Sequence, residues 1–582
     1  MRNYLHQRSK SLLAFAVGLT ILSSSFAGEV YADDCYFSGS DMYNDGTTNW
    51  DEETQTATLT DNKTVGFLYH YSKTWGSQSA NNDKQGQCAS LVSYYNPYNV
   101  VGADNKLIKF ELGGDIIAIQ NNKLTVDKLD TLTITNGTYG LFANYGYKTE
   151  TDTGKGGLYL SNIKNVDISG TLSAIYSDVK GNVTLSNIGT LNLKSDFTHA
   201  LEDYGKNLTA TEDNTIICDY GSIVNINAKD TTITSTGRAI LATAHNVDNI
   251  NVLETSWGTD TPWPQVNINS DTLTIKAATS GPTAAAVYSD TGAIVNLGSA
   301  DKKIKILKFD QYQDEQGKKI YANMNLYSNG YIYEENNANR YNRYSGTIAA
   351  GKTADDYILH QSQINVYAEN AEFNANTNAI NARNNALINV NADNAVINNN
   401  YGNVATVSSS GGSTVTLTSD DLTITNHNTN YLKDADVIDA KDAKVAIGSG
   451  GVVNPSRQDL VEDYGGTVDK AGDIIINANK KLTVDGNIII DAKPGTAAGN
   501  SISINKDNTT ALVNITGDIY TNNGNEVHLS LGDGSAAGQN GNAAGRQAAR
   551  STLTGAILDA ASTATGFSFS NANFSEKGTT SR

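Results

Sequence analysis

The sequence predicts an all-β chain wound as a right-handed parallel β-helix. Three observations carry that reading. First, apolar and polar residues alternate over runs of four or five positions, as in Leu132-Thr133-Ile134-Thr135 and Leu273-Thr274-Ile275-Lys276. Such alternation marks half-buried strands. Second, the runs recur in a fixed order. Val166-Asp167-Ile168-Ser169-Gly170 leads to Ala174-Ile175-Tyr176-Ser177-Asp178, and Thr232-Ile233-Thr234-Ser235 leads to Ala239-Ile240-Leu241-Ala242-Thr243. A third strand opening on a small or polar residue completes the unit, as in Gly181-Asn182-Val183-Thr184-Leu185 and Gly221-Ser222-Ile223-Val224-Asn225-Ile226. Third, the 582 residues include only 6 Pro but 68 Asn. Strand ladders exclude Pro, and no long stretch repeats apolar residues at helical spacing.

One such unit cannot bury its own apolar face, so units must stack into a solenoid with a continuous column of Ile, Val and Leu inside. Asn suits the corners because it tolerates left-handed backbone, and its amide can form ladders between rungs. Residues 364–400 are the purest case. At ~4.8 Å per rung, about twenty rungs would make a rod of order 100 Å. A β-sandwich array or a propeller would instead punctuate its strand pairs with Asn-Gly hairpins, which this sequence does not do.

The elements follow in chain order. Arg2, Arg8 and Lys10 precede an apolar run from Leu12 to Leu22, and small residues lead to Val30-Tyr31-Ala32 before Asp33. This is the pattern of a secretory signal peptide over 1–32, with cleavage expected between Ala32 and Asp33. The run is shorter than the ~20 residues a membrane-spanning helix needs. Removing it takes three basic residues and one acidic, so the net charge moves from −19 to −21. Residues 33–110 are irregular and read as an N-terminal cap covering the first open edge. Cys35 and Cys88 lie there, and in an oxidising compartment they can pair. A loop of that size would contribute about 4 kcal/mol in the chain-entropy model. With Cys218 the cysteine count is odd, so at least one thiol has no partner within the chain. Residues 111–531 read as the β-helix, broken by a Tyr- and Asn-rich insertion at about 308–360. Its Tyr327, Tyr331, Tyr333, Tyr341 and Tyr344 form the candidate binding loop, because exposed tyrosines anchor interfaces and stack on sugar rings. Residues 532–582 read as an Ala/Gly-rich terminal segment.

The signal pattern, the acidic, Asn-rich and Cys-poor rungs and the recurrent Ala-Ile-Tyr-Ser-Asp step together resemble the passenger domain of bacterial autotransporters, the type V secreted proteins. The resemblance covers nearly all of the mature chain. Leu529-Ser530-Leu531-Gly532-Asp533-Gly534-Ser535 and Leu553-Thr554-Gly555-Ala556-Ile557 look like segments that such passengers carry shortly before their translocating barrel. The resemblance implies a pertactin-like, non-enzymatic adhesin, at the cell surface of a diderm bacterium or secreted from it, and periplasmic if no translocator is supplied. Its partners would be host or neighbouring-cell surface glycans or proteins. A complete autotransporter continues into an autochaperone segment and an outer-membrane barrel of alternating ~10-residue strands. Only about fifty residues follow Leu531. The expectation is therefore a passenger without its translocator, through truncation of the reading frame or export by a separately encoded partner.

The enzyme reading of a parallel β-helix is a polysaccharide lyase or hydrolase. A glycosidase needs two carboxylates across the scissile bond, and a lyase needs a calcium-binding carboxylate cluster beside a basic residue. Asp420-Asp421 is a carboxylate pair, but neighbouring strand residues are expected on opposite faces, so a polar corner is the plainer reading. Arg238 and Arg383 have no legible acidic constellation. His199 and His245 lie near strand ends without metal-ligand spacing, and Gly532-Asp533-Gly534-Ser535 reads as a turn. No cofactor motif is present, and the acidic charge disfavours nucleic acid as a partner.

Overall fold

A computed structural model describes strands and their immediate turns between Tyr36 and Ser570. Residues 1–35, 38–45, 66–89, 145–156, 196–213, 244–262, 335–356, 427–435, 442–471, 492–500, 538–550, 560–566 and 571–582 lie outside the description, as do shorter connecting stretches. Ala32, Asp33, Cys35, Cys88, His199, His245, Tyr341 and Tyr344 are among them. The described residues contain no α-helix and a single 3-10 turn at Ser535–Ala537.

The chain is a parallel β-helix. Each rung gives one short strand to a fifteen-stranded parallel sheet, from Tyr36–Phe37 through Leu141–Asn144 and Ile175–Asp178 to Ile557–Asp559. Each rung also gives a long strand, such as Lys123–Gly137, Gly157–Gly170 or Gln265–Ala277, that bends midway and forms the remaining walls. Successive rungs pair in register, so Leu132, Val166, Leu191, Thr231 and Leu273 fall in one column. Among the described residues, the fifteen rungs at ~4.8 Å each span about 70 Å.

The bend in the long strand has a local cause. In the N-terminal rungs, Lys128, Asn162 and Asn187 take φ of 57°, 53° and 52° at aligned positions. Asn187 Nδ2 donates to Asn162 Oδ1 at 2.7 Å, linking two of these corners. In later rungs the alternation slips, leaving two adjacent side chains outside the core: Asp271-Thr272, Glu369-Asn370, Asp393-Asn394 and Asp420-Asp421. Here the opposite-face expectation for Asp420 and Asp421 fails. Alternation holds only along a straight strand, and a corner resets its phase.

Inside the rod the columns are continuous. One runs Ile134, Ile168, Leu193, Ile233, Ile275, Phe309, Phe373, Ile397, Ile424, Val484, all at most 1% exposed. Phe309 and Phe373 stack at 5.1 Å. On the outer side of the long-strand wall, Asn225, Asn267, Asn296, Asn365 and Asn389 form an unbroken amide ladder. Each later Nδ2 donates to the preceding Oδ1, at 2.8, 2.7, 2.9 and 2.9 Å. The turns after the short strands repeat another device. Ser289 Oγ and Ser409 Oγ donate to the carbonyls of Ala293 and Ser413, and Cys218 Sγ donates to that of Ser222.

The stack extends past both ends of the span read from the sequence. Parallel pairing already joins Thr56–Leu59 to Tyr98–Gly102, beneath an antiparallel hairpin of Thr48–Asp51 with Thr56–Leu59. Thr552–Leu553, Ile557–Asp559 and Phe567–Ser570 also add strands beyond 531. Within the expected insertion at 308–360, the strands Ile304–Gln313 and Met324–Asn329 both belong to rungs. The departure from the stack begins after Asn329, where Tyr331–Glu334 pairs antiparallel with Tyr357–His360.

Candidate binding face on the short-strand sheet

Each short strand points alternate residues inward and outward. Leu141 and Ala143 are fully buried in the interior, while Phe142 and Asn144 face out. Strand register then builds two outward lines. The first runs Ile117, Phe142, Tyr176, Ile217, Leu241, Tyr288, Tyr327 and turns polar at Asn381. The second runs Asn144, Asp178, Asp219, Thr243, Asp290, Asn329, Arg383. Stacking alone requires neither line, because the interior is filled by the opposite set of side chains.

Stretches 145–156, 196–213, 244–262 and 442–471 each link a short strand to a long one, whereas the bends of Gly157–Gly170, Asn182–Ser195 and Leu387–Asn399 close within the strand itself.

Towards the C-terminal part of the face a cationic and aromatic stack crosses four successive rungs. The Arg238 guanidinium lies over the Tyr288 ring at 4.8 Å. Tyr288 stacks on Tyr327 at 4.9 Å with planes 10° apart, and Arg383 stands 6.0 Å from the Tyr327 ring. Tyr288, Tyr327, Ala285 and Met324 form a small apolar cluster outside the main core. Burial, reinforced by the Asp290 carboxylate, raises the Tyr288 phenol well above its ordinary range. Burial likewise pushes Tyr327 up to about 12, although Arg383 opposes the shift. Asn329 Nδ2 donates to Asp290 Oδ1 and Asn144 Nδ2 to Asp178 Oδ2, both at 3.0 Å, so two outward carboxylates are held by amides one rung away.

At the other end, Tyr139, Phe142 and Tyr176 form a three-ring cluster with centroids 5.2, 5.3 and 5.4 Å apart. Tyr139 and Phe142 remain half-buried.

The candidate loop of five tyrosines is not one surface. Tyr327 is 1% exposed and belongs to the stack just described, so it is a packed residue. Its register places it opposite Tyr288 in a rung. Tyr331 and Tyr333 lie in the antiparallel ribbon. Arg238 and Arg383, which looked isolated in sequence, converge on the same tyrosine pair. Only the register of rungs separated by long connections could reveal this. Asp420 is a corner residue bound by Lys480 at 2.8 Å, and that bond holds its carboxyl below the usual range. Asp533 accepts from the Ser535 amide, making Gly532–Ser535 a turn. Cys218 is fully buried, and desolvation drives its thiol well up. Among the described residues, no three His, Cys, Asp or Glu side chains gather as a metal site, and no helix is long and apolar enough to cross a membrane. No family model, curated protein or solved structure matches the chain.

Proposed function

We propose that this chain is an exported, non-enzymatic surface rod, an adhesin of the autotransporter-passenger kind. It engages host or neighbouring-cell ligands through the outward face of its short-strand sheet. One observation carries the reading: the outward side of the short strands carries ordered aromatic and carboxylate lines that filling the interior does not require, with Tyr139 and Phe142 half-buried and Tyr176, Tyr288, Tyr327, Asp178 and Asp290 buried. The N-terminal signal pattern supports export. The parallel stack supports a rigid carrier, along which modest contacts add up by avidity. A translocator encoded downstream or separately completes the transport route. The test is incubation of the purified mature chain with cells and with neutral and acidic polysaccharides. Saturable binding without new reducing ends or unsaturated products is the expected result. Turnover of a polysaccharide would make the chain a carbohydrate-active β-helix instead.

A further inference from the structure

The first half of the long-strand wall, before the corner, differs in charge from the rest of the described surface. Over eight successive rungs, from Gly157–Gly170 to Thr414–Asn426, its outward positions hold no charged residue. The outer residues of Asn225-Ile226-Asn227, Asn267-Ile268-Asn269 and Thr416-Leu417-Thr418 show the pattern, and register keeps them in columns. Charge returns at the boundaries. The preceding rung brings Asp127 and Lys123, whose ammonium lies over the Tyr159 ring at 4.8 Å, and the following rung brings Asp473. Lys229, Asp271, Glu369, Asp393 and Asp420 stand along the corner, and Lys302 Nζ reaches Asn227 Oδ1 at that edge, at 3.1 Å. The second half of the wall turns Lys194, Lys276, Lys308 and Glu372 outward, and the short-strand sheet carries Asp178, Asp219, Asp290 and Arg383.

We infer that this uncharged wall is the contact face for a second copy of the chain, which meets it wall to wall. The chain has a net charge of −19, so two copies repel across most of their surfaces. They approach with least repulsion where neither carries charge. The amides then select the occupant. An amide has two N–H donors and a carbonyl with two lone pairs. In the ladder, Asn296 and Asn365 each engage one donor and one lone pair with their neighbours, which leaves one of each outside it. The column therefore offers donors and acceptors together at a ~4.8 Å repeat. The same wall of another rod has that repeat and supplies both. The contact is isologous, with a two-fold axis through the wall. Eight rungs by five residues cover about 34 Å by about 13 Å, on the order of 450 Å² per copy. A standard stable interface buries ~800 Å² per partner, so the contact is weak between free rods and gains strength where many rods stand side by side. It uses a different wall from the proposed adhesin face and does not depend on that reading.

The experiment is sedimentation equilibrium of the full mature chain over a range of concentrations, at low ionic strength and at about 1 M salt, where the Debye length is ~3 Å. A reversible monomer–dimer equilibrium is expected, and it should tighten in salt because screening removes the opposing repulsion. Thr416→Asp puts a carboxylate on the uncharged wall, and Thr423→Asp puts the same charge on the other side of the corner in the same strand. Thr416→Asp should weaken dimerisation at least tenfold, while Thr423→Asp dimerises like the parent. Asn391→Asp, one rung away, should repeat the Thr416→Asp result and replaces it if that variant does not fold, as circular dichroism will show. The inference is overturned if the parent stays monomeric at every concentration in both salts, if salt dissolves the dimer, or if carboxylates on the two sides of the corner have equal effects. Any of these leaves the adhesin reading standing. Dimerisation by a chain that binds no cell or glycan would sink the adhesin reading and spare this contact.

Discussion

At the residue scale, the amide ladder is the feature most open to test. Asn296 donates to Asn267 and accepts from Asn365, so Asn296→Ala leaves two neighbours without their partner. Each lost bond of this kind is worth about 0.5–1.5 kcal/mol. Hydrogen exchange should therefore speed up in Gln265–Ala277 and Gln363–Ala375 first. Protection that stays unchanged there would show the ladder to be a passive consequence of register. Cys218 sits where Ser289 and Ser409 sit in their rungs, and each donates to a turn carbonyl. Cys218→Ser should fold normally. In the native chain, peptide-resolved thiol labelling at pH 8 should leave Cys218 unmodified until denaturant is added, because burial disfavours its thiolate. Gly140→Ala combines a left-handed φ with a backbone clash. Strain of this kind costs about 1–3 kcal/mol, and thermal unfolding should show the loss.

At the scale of elements, the Arg238–Tyr288–Tyr327–Arg383 stack joins four short strands that have no sequence proximity. Both phenols titrate above their ordinary value when folded. The sign follows from linkage. Their contribution is complete below the unfolded tyrosine pKa of about 10, and it is lost as pH rises from there through the folded value. Alkaline titration followed at 295 nm should show a fraction of tyrosines ionising late, together with loss of β-sheet ellipticity. Tyr327→Phe should remove part of that late fraction. The Asp420–Lys480 bridge has the opposite sign: a depressed carboxyl contributes above the unfolded aspartate pKa of about 3.9 and is lost as pH falls through the folded value. It lies at a partly exposed corner, so solvent screens it and the change with pH should be small.

The long strands show what periodicity can and cannot convey. Alternation in Leu273-Thr274-Ile275-Lys276 or Leu422-Thr423-Ile424 announces a strand with its inner face. It does not show that Gln265–Ala277 and Thr414–Asn426 each run through a corner as one continuous strand. At the corner two successive residues face outward, and a pattern reader sees only an interruption. The insertion expected at about 308–360 takes in the second half of Ile304–Gln313 and all of Met324–Asn329 for a related reason. Their lysines and tyrosines obscure an apolar set of Ile304, Leu307, Phe309 and Leu326 that lies in the core.

At the scale of the whole molecule, a solenoid is held by neighbour-to-neighbour contacts, and its stability sums over rungs. Leu387 and Thr414 occupy the same register position in successive rungs. Deleting residues 387–413 therefore joins Ala386 to Thr414 in phase and removes one complete rung. That variant should remain a folded rod, shorter by ~4.8 Å in small-angle scattering. Deleting only Leu387–Asn399 breaks the phase and should expose the neighbouring rungs to protease. Equal behaviour of the two deletions would contradict the stacking account.

The sequence by itself determined the class of fold, the inward-facing apolar columns and the capacity of its asparagines for amide ladders between rungs. All three follow from local alternation and side-chain chemistry, which act within a few residues. It also carried the signal pattern and the acidic balance. The tertiary structure alone decided which outward residues meet. Arg238 reaches Tyr288, and Arg383 reaches Tyr327, only because rungs separated by connections of very different length return to the same register. The same return places Tyr139, Phe142 and Tyr176 together. Parallel stacking converts sequence separations of about 20 to 60 residues into a spacing of ~4.8 Å, and no local pattern records where on the outer face two rungs will coincide.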